Sequence, residues 1–426
     1  MSRKLKVLVS AYACNPFQGS EEGVGWGWVQ AIARHHDPWV ITADFHRQDI
    51  ERAVSAGLSA ANIRFGYVTP RPWHYRPSPG WKAIENSLLK PVMNHAYRLW
   101  ERDAYRLGAR LHADVGFDLV HLVTYVGFRF PGYLWKLDPP FVWGPIGGLE
   151  NTPWRFLLSL GARGAIYYAG RNVINSFHKR CLLRPRRAFR KARGNIIAAT
   201  GRIRDEIKLW YGEDSHVICE IGPPPAVASG ITLRQPAEPL RLAWSGTLLP
   251  GKALPLLLQA LAVLPAGMEW TLDILGDGPC RTKWQRLSRE LGTDGRCRWH
   301  GFLPRDRALA MMHEAHLFII TSMKDLTSTV LMEALGQGVP VICPDHCGFP
   351  DVVTDACGVK VPVIRPRQVA RDMAAAIRAL RDDEDRRRRL ARGALDRVLD
   401  FAWEQKASRI EHIYREAVQR HRQSPG

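Results

Sequence analysis

Short, fully apolar runs bounded by turn residues alternate along this chain with longer stretches whose apolar positions recur at helical spacing. In the first half KVLVS, WVITA, IRFGYV, FDLVHLVT, PFVWGPIGG and GNIIAAT read as strands, and GVGWGWVQAIARH and RIRDEIKLWYG read as helices. Strands with no polar face belong in a parallel sheet covered by helices on both sides. The proline-rich IGPPPAVASG (Ile221–Gly230) cannot sustain a helix and reads as a linker. The alternation then restarts with the strands LRLAWSG, EWTLDILGDG, CRWHGFL, AHLFIITS and VPVICP. ALPLLLQALAVL, CRTKWQRLSREL, DRALAMMHEA, STVLMEALGQG and PRQVARDMAAAIRAL are the helices between and after them. The pattern predicts α/β architecture with two doubly wound domains, 1–225 and 226–401, and a ligand cleft at the carboxyl ends of their sheets. FAWEQKASRIEHIYREAVQRH closes the chain as an amphipathic helix, and 402–422 is expected to complete the first domain.

A length of 426 residues fits two cores better than one. No run reaches the ~18 apolar residues of a membrane span. The start, MSRKLKVLVSAYAC, has too short an apolar run for a signal peptide because Lys6 interrupts it, so a cytoplasmic location is expected. Eight cysteines are too sparse for a disulfide framework, and CPDHC (Cys343, His346, Cys347) lacks the second ligand pair of a metal site. Charge changes the picture more. Lys and Arg outnumber Asp and Glu by 60 to 41, which implies an anionic partner. Residues 151–204 contain no acid, and WRFLLSLGARGAIYYAGRNVI interleaves aromatic and aliphatic residues with arginines. Such a stretch suits an anionic membrane surface, here the inner face of the cell membrane, or else forms a solvated basic face. No nucleic-acid motif accompanies it.

Three loops could carry chemistry. YACNPFQGSEEGVGWGW joins the first strand to the first helix. Its Gly19, Ser20, Glu21, Gly23 and Gly25 suit sugar hydroxyls better than a pyrophosphate, which Glu21 and Glu22 would repel. WSGTLLPGKALPLLL sets Gly246 after a strand and Lys252 at a helix entrance, where an ammonium can neutralise phosphate. In SMKDLTSTVLMEALGQGVPVI, Ser328 and Thr329 open a helix whose free N–H groups attract an anion, with Asp325 ahead of that turn and Glu333 one turn inside it. The two acids either cap the helix and sit on its surface, or grip one ligand from two sides.

From these residues the chain resembles the retaining glycosyltransferases of family four, the "group 1" transferases. Glu333 matches the second acid of that family's Glu–x7–Glu motif, and GVPVI (Gly338–Ile342) the strand after it. LGDGP (Leu275–Pro279), HGFLPR (His300–Arg305) and HCGFPDVV (His346–Val353) match further landmarks in order. Two departures stand out. Asp325 replaces the first Glu, with Thr327–Ser328 in place of an aromatic–Gly pair. Gly246–Thr247…Lys252–Ala253 replaces Gly–Arg…Lys–Gly.

The resemblance implies a GT-B fold, two Rossmann-like domains facing across a cleft, with the terminal helix crossing back to the first. It implies metal-independent, retaining transfer of a hexose from a nucleoside diphosphate sugar to a membrane-associated or polysaccharide-precursor glycan, lipid-linked acceptors included. No cofactor is expected. Lys252 would stabilise the leaving diphosphate, Asp325 would hold the hexose, and His121 would lie near the reacting sugar. Glu333 would hold the ribose, with Gly246, Thr247, Gly278, Ser328 and Thr329 around the donor; Arg129 would join the acceptor loop. The D-x-D at Asp383–Asp385 sits in a solvated charge run and is set aside. Sugar-nucleotide epimerase, phosphorylase and a degenerate binding subunit remain as alternatives on the same fold.

Overall fold

The computed structural model describes residues 3–69 and 90–423, and the chain divides into two compact units. The first comprises Met1–Glu150, Phe177–Gly222 and Ala402–Gly426; the second comprises Asn151–Ser176 and Pro223–Phe401. The chain begins with β1 (Lys6–Ala11), α1 (Ser20–Ala33), β2 (Asp37–Ala43), α2 (Arg47–Ser55), β3 (Arg64–Val68), α3 (Lys90–Val115), β4 (Leu119–Thr124) and β5 (Phe141–Ile146). It continues through α4 (Gly161–Cys181), α5 (Leu183–Lys191), β6 (Ile196–Ala198), α6 (Gly201–Tyr211) and β7 (His216–Val217). Seven parallel strands in the order β3-β2-β1-β4-β5-β6-β7 form the first sheet, and β4 and β5 are buried at every position. That is what their largely apolar sequences require.

The second unit runs β8 (Leu240–Ser245), α7 (Pro255–Ala262), β9 (Trp270–Leu275), α8 (Arg281–Glu290), β10 (Cys297–Gly301), α9 (Arg305–His313) and β11 (Leu317–Ile319). It goes on with α10 (Thr329–Gly336), β12 (Val341–Pro344), α11 (Phe349–Val352), β13 (Gly358–Val361), α12 (Pro366–Asp382) and α13 (Glu384–Leu399). Its sheet order, β10-β9-β8-β11-β12-β13, again places the first strand next to the fourth, as in a doubly wound nucleotide-binding sheet. Asp383 caps α13 by accepting the Arg386 N–H at 2.8 Å, which accounts for the D-x-D as helix chemistry.

The division corrects one expectation. Residues 151–176 belong to the second unit, where Phe156, Leu157, Leu160 and Tyr168 join the core of Leu254, Leu257, Met373 and Ile377. Gly164 lies against Pro250, and Tyr168 Oη against Gly251, in the turn that carries Lys252. The basic run 151–204 is therefore shared between the units, and part of it is spent on internal partners. Lys179 pairs with Glu206 at 2.7 Å, Arg184 with Glu101 at 3.2 Å and Arg193 with Glu213 at 3.0 Å.

The last helix, α14 (Trp403–Gln423), belongs to the first unit and packs on α1. Trp403 lies where only a glycine leaves room: a Cβ on Gly27 would stand 2.1 Å from its ring. Lys406 is buried and donates to the carbonyls of Cys219, at 2.8 Å, and Ile221. Burial lowers its pKa, and those carbonyls are what make the site tolerable for an ammonium.

His121, expected near a reacting sugar, has no exposed surface in β4. Its Nε2 lies 2.7 Å from the Gly144 carbonyl and its Nδ1 2.6 Å from Tyr414 Oη on α14. A carbonyl only accepts, so Nε2 carries the proton and Nδ1 accepts from the tyrosine. Both nitrogens are engaged, and His121 fastens α14 to the sheet rather than serving chemistry. Tyr414→Phe leaves Nδ1 buried without a donor and should cost about 1–3 kcal/mol, read as a lower Tm of the full chain. Burial also pulls His36, His46 and His121 down to about 4, so each is neutral in the fold. Their folded pKa values lie below the unfolded value of about 6.5; stability is complete above that pH and should drain away as pH falls towards 4. Thermal melts across that window check the sign.

Candidate functional site

In the second sheet the chain leaves β8 and β11 on opposite sides, and their carboxyl ends adjoin at this switch point. The loop after β8 is tied to the loop after β9. The Gly246 N–H donates to Leu275 O at 2.9 Å, Leu248 N–H to Asp277 O at 2.9 Å, and Cys280 N–H returns to Leu248 O at 3.0 Å. A Cβ on Gly276 would stand 2.1 Å from Gly246 O, and one on Gly278 would stand 2.8 Å from Leu248 N. Gly246 and Gly278 thus serve this close crossing of backbones. Thr247 is exposed on the same loop, in the place of the family's arginine, and brings no charge.

The next turn of chain, Pro250–Lys252, is held by the loop after β11. Met323 N–H donates to Gly251 O at 2.8 Å, Thr321 Oγ1 to Lys252 O at 2.6 Å, and Trp244 Nε1 to Thr321 Oγ1 at 2.9 Å. These bonds bring Lys252 Nζ to 2.5 Å from Asp325 Oδ2 across 73 residues of sequence. The two side chains keep 22% and 18% exposure, enough for a ligand to reach both. Asp325 also accepts the Leu326 N–H at 3.1 Å, so it does not cap α10. Ser328 precedes α10 without a capping hydrogen bond from its side chain, leaving the first-turn amides at Thr329 open to an anion.

The departures from the family motif are departures of side chain, not of backbone. Ser328 has φ 77° and ψ 115°, and Ala253 has φ 49°. Both stand where the resemblance expects glycine, and both keep a glycine conformation. Glu333, one turn into α10, has 12% exposure and accepts Arg305 Nε at 2.9 Å. Burial raises its pKa even against the pull of Arg305. Arg305 is the functional neighbour that reading the sequence left without a role. Its signal is the last position of HGFLPR, 28 residues before Glu333.

In the first unit the equivalent switch point lies between β1 and β4. Glu21, in the first turn of α1, accepts the Val126 N–H at 2.7 Å, and burial lifts its pKa to about 7. A Cβ on Gly25 would stand 1.9 Å from Ala13 O and one on Gly23 2.7 Å from Gln18 O, so both serve close backbone approaches. Gly19 and Ser20 lie at the open start of α1, Gly19 with space around it and Ser20 at φ 60°. Arg129 donates to His178 Nδ1 at 2.9 Å and stacks over Phe128. Among the described residues no three His, Cys, Asp or Glu side chains gather as a metal site would need.

Two all-parallel, doubly wound units are the architecture of the GT-B class of glycosyltransferase folds. Residues 233–397, most of the second unit, match the family model described as "Glycosyl transferases group 1". The chain is 30% identical over 207 residues to O-antigen chain mannosyltransferase B of Escherichia coli, covering 45% of this chain and 52% of that protein. It is 29% identical over 135 residues to D-inositol 3-phosphate glycosyltransferase of Corynebacterium aurimucosum, covering 32% of this chain and 31% of that one. The chain thus spans between a third and about half of the length of the curated relatives it matches. In fold it is similar over 97% of its length to sucrose-phosphate synthase of Thermosynechococcus elongatus, with a TM-score of 0.66, 16% identity and 99% of that chain covered. The Anabaena protein HepE, solved with UDP-glucose, matches over 97% of this chain and 100% of its own at a TM-score of 0.57 and 15% identity.

Two outcomes follow from this geometry. Ser328→Gly should relieve the positive φ and stabilise the second unit by about 1 kcal/mol, raising its Tm by roughly 2–4 °C. Glu333 with its raised pKa should protonate at a pH above the ordinary ~4.3 of glutamate, weakening ligand affinity as pH falls through that value. Calorimetry with UDP at stepped pH should show this loss in the wild type and a flatter profile in Glu333→Gln.

Proposed function

We propose that the chain is a retaining hexosyltransferase that takes a nucleoside diphosphate sugar as donor and a glycan as acceptor. The observation that carries the reading is the Lys252–Asp325 pair, 2.5 Å apart at the β8/β11 switch point and beside the uncapped start of α10. A diphosphate bound there would face an ammonium and the first-turn amides. Lys252 would exchange its bond with Asp325 for a phosphate oxygen and free the carboxylate for the hexose hydroxyls. Glu333, with one oxygen on Arg305, would accept from the ribose hydroxyls with the other. In the proposed step the bond from the sugar C1 to the diphosphate oxygen breaks and its electron pair leaves with the nucleotide. The acceptor hydroxyl oxygen bonds to C1 from the same face, and its proton passes to the departing phosphate. Charge builds on that phosphate oxygen, where preorganised donors contribute most; removing one such donor typically costs about 10²–10³ in rate. No divalent metal or cofactor is routed through the step.

The solved likeness of HepE with UDP-glucose supports a uridine nucleotide as the first donor to try. The E. coli relative, an O-antigen chain mannosyltransferase, supports a polysaccharide precursor as acceptor. Calorimetry of the full chain with UDP and with GDP tests the site before any acceptor is known. One of the two should bind, and Glu333→Ala should weaken it by about 10–150-fold, the worth of a hydrogen bond to a charged group. Lys252→Ala should weaken it comparably and abolish glycan-dependent nucleotide release. Unchanged affinity in both variants, or nucleotide turnover that ignores added glycan, would overturn the proposal, the second in favour of an epimerase.

A further inference from the structure

The part of α4 that belongs to the second unit, residues 161–176, is turned inside out. On α4 the buried face presents Gly164, Tyr168, Asn172 and Asn175. The two asparagines are satisfied locally: Asn172 accepts the Thr152 N–H at 2.9 Å and donates to Thr152 O at 2.7 Å, and Asn175 donates to Asn151 Oδ1 at 2.8 Å. The opposite face is aliphatic and bare. Ile166 is 76% exposed, Val173 59% and Ile174 54%. Positions 166, 170, 173 and 174 recur at i, i+4, i+7 and i+8, a single stripe along this part of the helix. The preceding 3-10 turn, Trp154–Leu160, adds Leu158 at 87% and Trp154 at 56% exposure. A helix whose only neighbours were its own domain and water would carry its polar and apolar residues the other way round. Apolar patches of this kind mark surfaces that meet a partner.

Charge says which partner. Arg155 and Arg163 flank the stripe, are exposed and have no ion pair among the described residues, and residues 151–204 contain no acid. The acids that neutralise Lys179, Arg184 and Arg193 come from other segments and do not reach these two arginines. An apolar stripe edged by arginines is complementary to acyl chains beneath anionic headgroups.

We infer that the outer face of α4, with the 3-10 turn before it, lies on an anionic lipid bilayer. Docking then acts through the second unit, whose inner α4 contacts, Gly164 on Pro250 and Tyr168 on Gly251, brace the turn that carries Lys252. No helix of the described residues is long and apolar enough to cross the bilayer, so this is attachment at the surface. The inference goes beyond the donor reading and does not depend on it.

The test is flotation of the full chain with vesicles of phosphatidylcholine alone or mixed with phosphatidylglycerol, neither of which contains a donor or a glycan. The chain should float with the mixed vesicles and stay behind with the neutral ones, and raised salt should reduce recovery. Ile166→Ser with Val173→Ser should lose at least tenfold in bound fraction, and Arg155→Gln with Arg163→Gln several-fold. Both double variants should keep the wild-type Tm, because every altered side chain is exposed, and should keep UDP affinity if the donor site is as proposed. Equal recovery on both vesicle types, or flotation unaffected by the serine pair, would overturn the inference. So would light scattering that finds a dimer which the serine pair dissolves, since the stripe would then meet a second copy.

Discussion

The order of an all-parallel sheet decides where this molecule can do chemistry. Because β8 lies between β9 and β11, the chain must leave β8 and β11 in opposite directions, and no crossover covers their carboxyl ends. Whatever those two loops carry is thereby brought together, however far apart it stands in sequence. Here they carry an ammonium and a carboxylate, Lys252 and Asp325, and hydrogen bonds from Met323 N–H and Thr321 Oγ1 in the loop after β11 to the 250–252 turn hold the two in register. The close crossing of the β8 and β9 loops removes slack from the first of them. The pair is thus a consequence of topology, with its geometry preset before any ligand arrives.

The first unit solves a different problem with the same sheet order. Its chain leaves at Gly222 and returns at Ala402, and the returning helix has to be fastened. Trp403 against Gly27, Lys406 on the carbonyls of Cys219 and Ile221, and Tyr414 on His121 do this at three points along α14. The polar members are buried and fully paired, which makes them specific and costly to disturb. His121 belongs to that clasp, and its neutral state follows from the same burial.

The alternation of apolar strands and amphipathic helices made both sheets legible, and with them the switch points. What it missed follows from how sequence carries information. α3 escaped because its buried positions mix the bulky Tyr97 and Trp100 with the carboxyl-bearing Glu101 and the small Ala104, which blurs the apolar stripe that announces a helix. Residues 151–176 were assigned by chain order, yet Phe156, Leu160 and Tyr168 fill the core of the other unit, a choice that depends on three-dimensional fit. His121 stood in a strand, and nothing local could say that both its nitrogens would find partners 23 and 293 residues away. Lys252, Asp325 and Glu333 were legible because each sits at a strand end or a helix start, where local pattern and chemistry coincide. Arg305 was visible as part of a landmark but had no role until Glu333 was found beside it. The replaced glycines are the subtlest case. Ala253 and Ser328 read as losses, while the backbone at both positions retains positive φ.

The central claim is that the loops after β8 and β11, with the first turn of α10, receive the diphosphate of a nucleotide. Amide hydrogen exchange of the full chain with and without saturating nucleoside diphosphate tests it directly, since a ligand slows opening where it binds. The account predicts protection concentrated at residues 246–252 and 323–333, with the sheet interiors unchanged. Protection confined to other segments, with these loops exchanging as in the free protein, would contradict it.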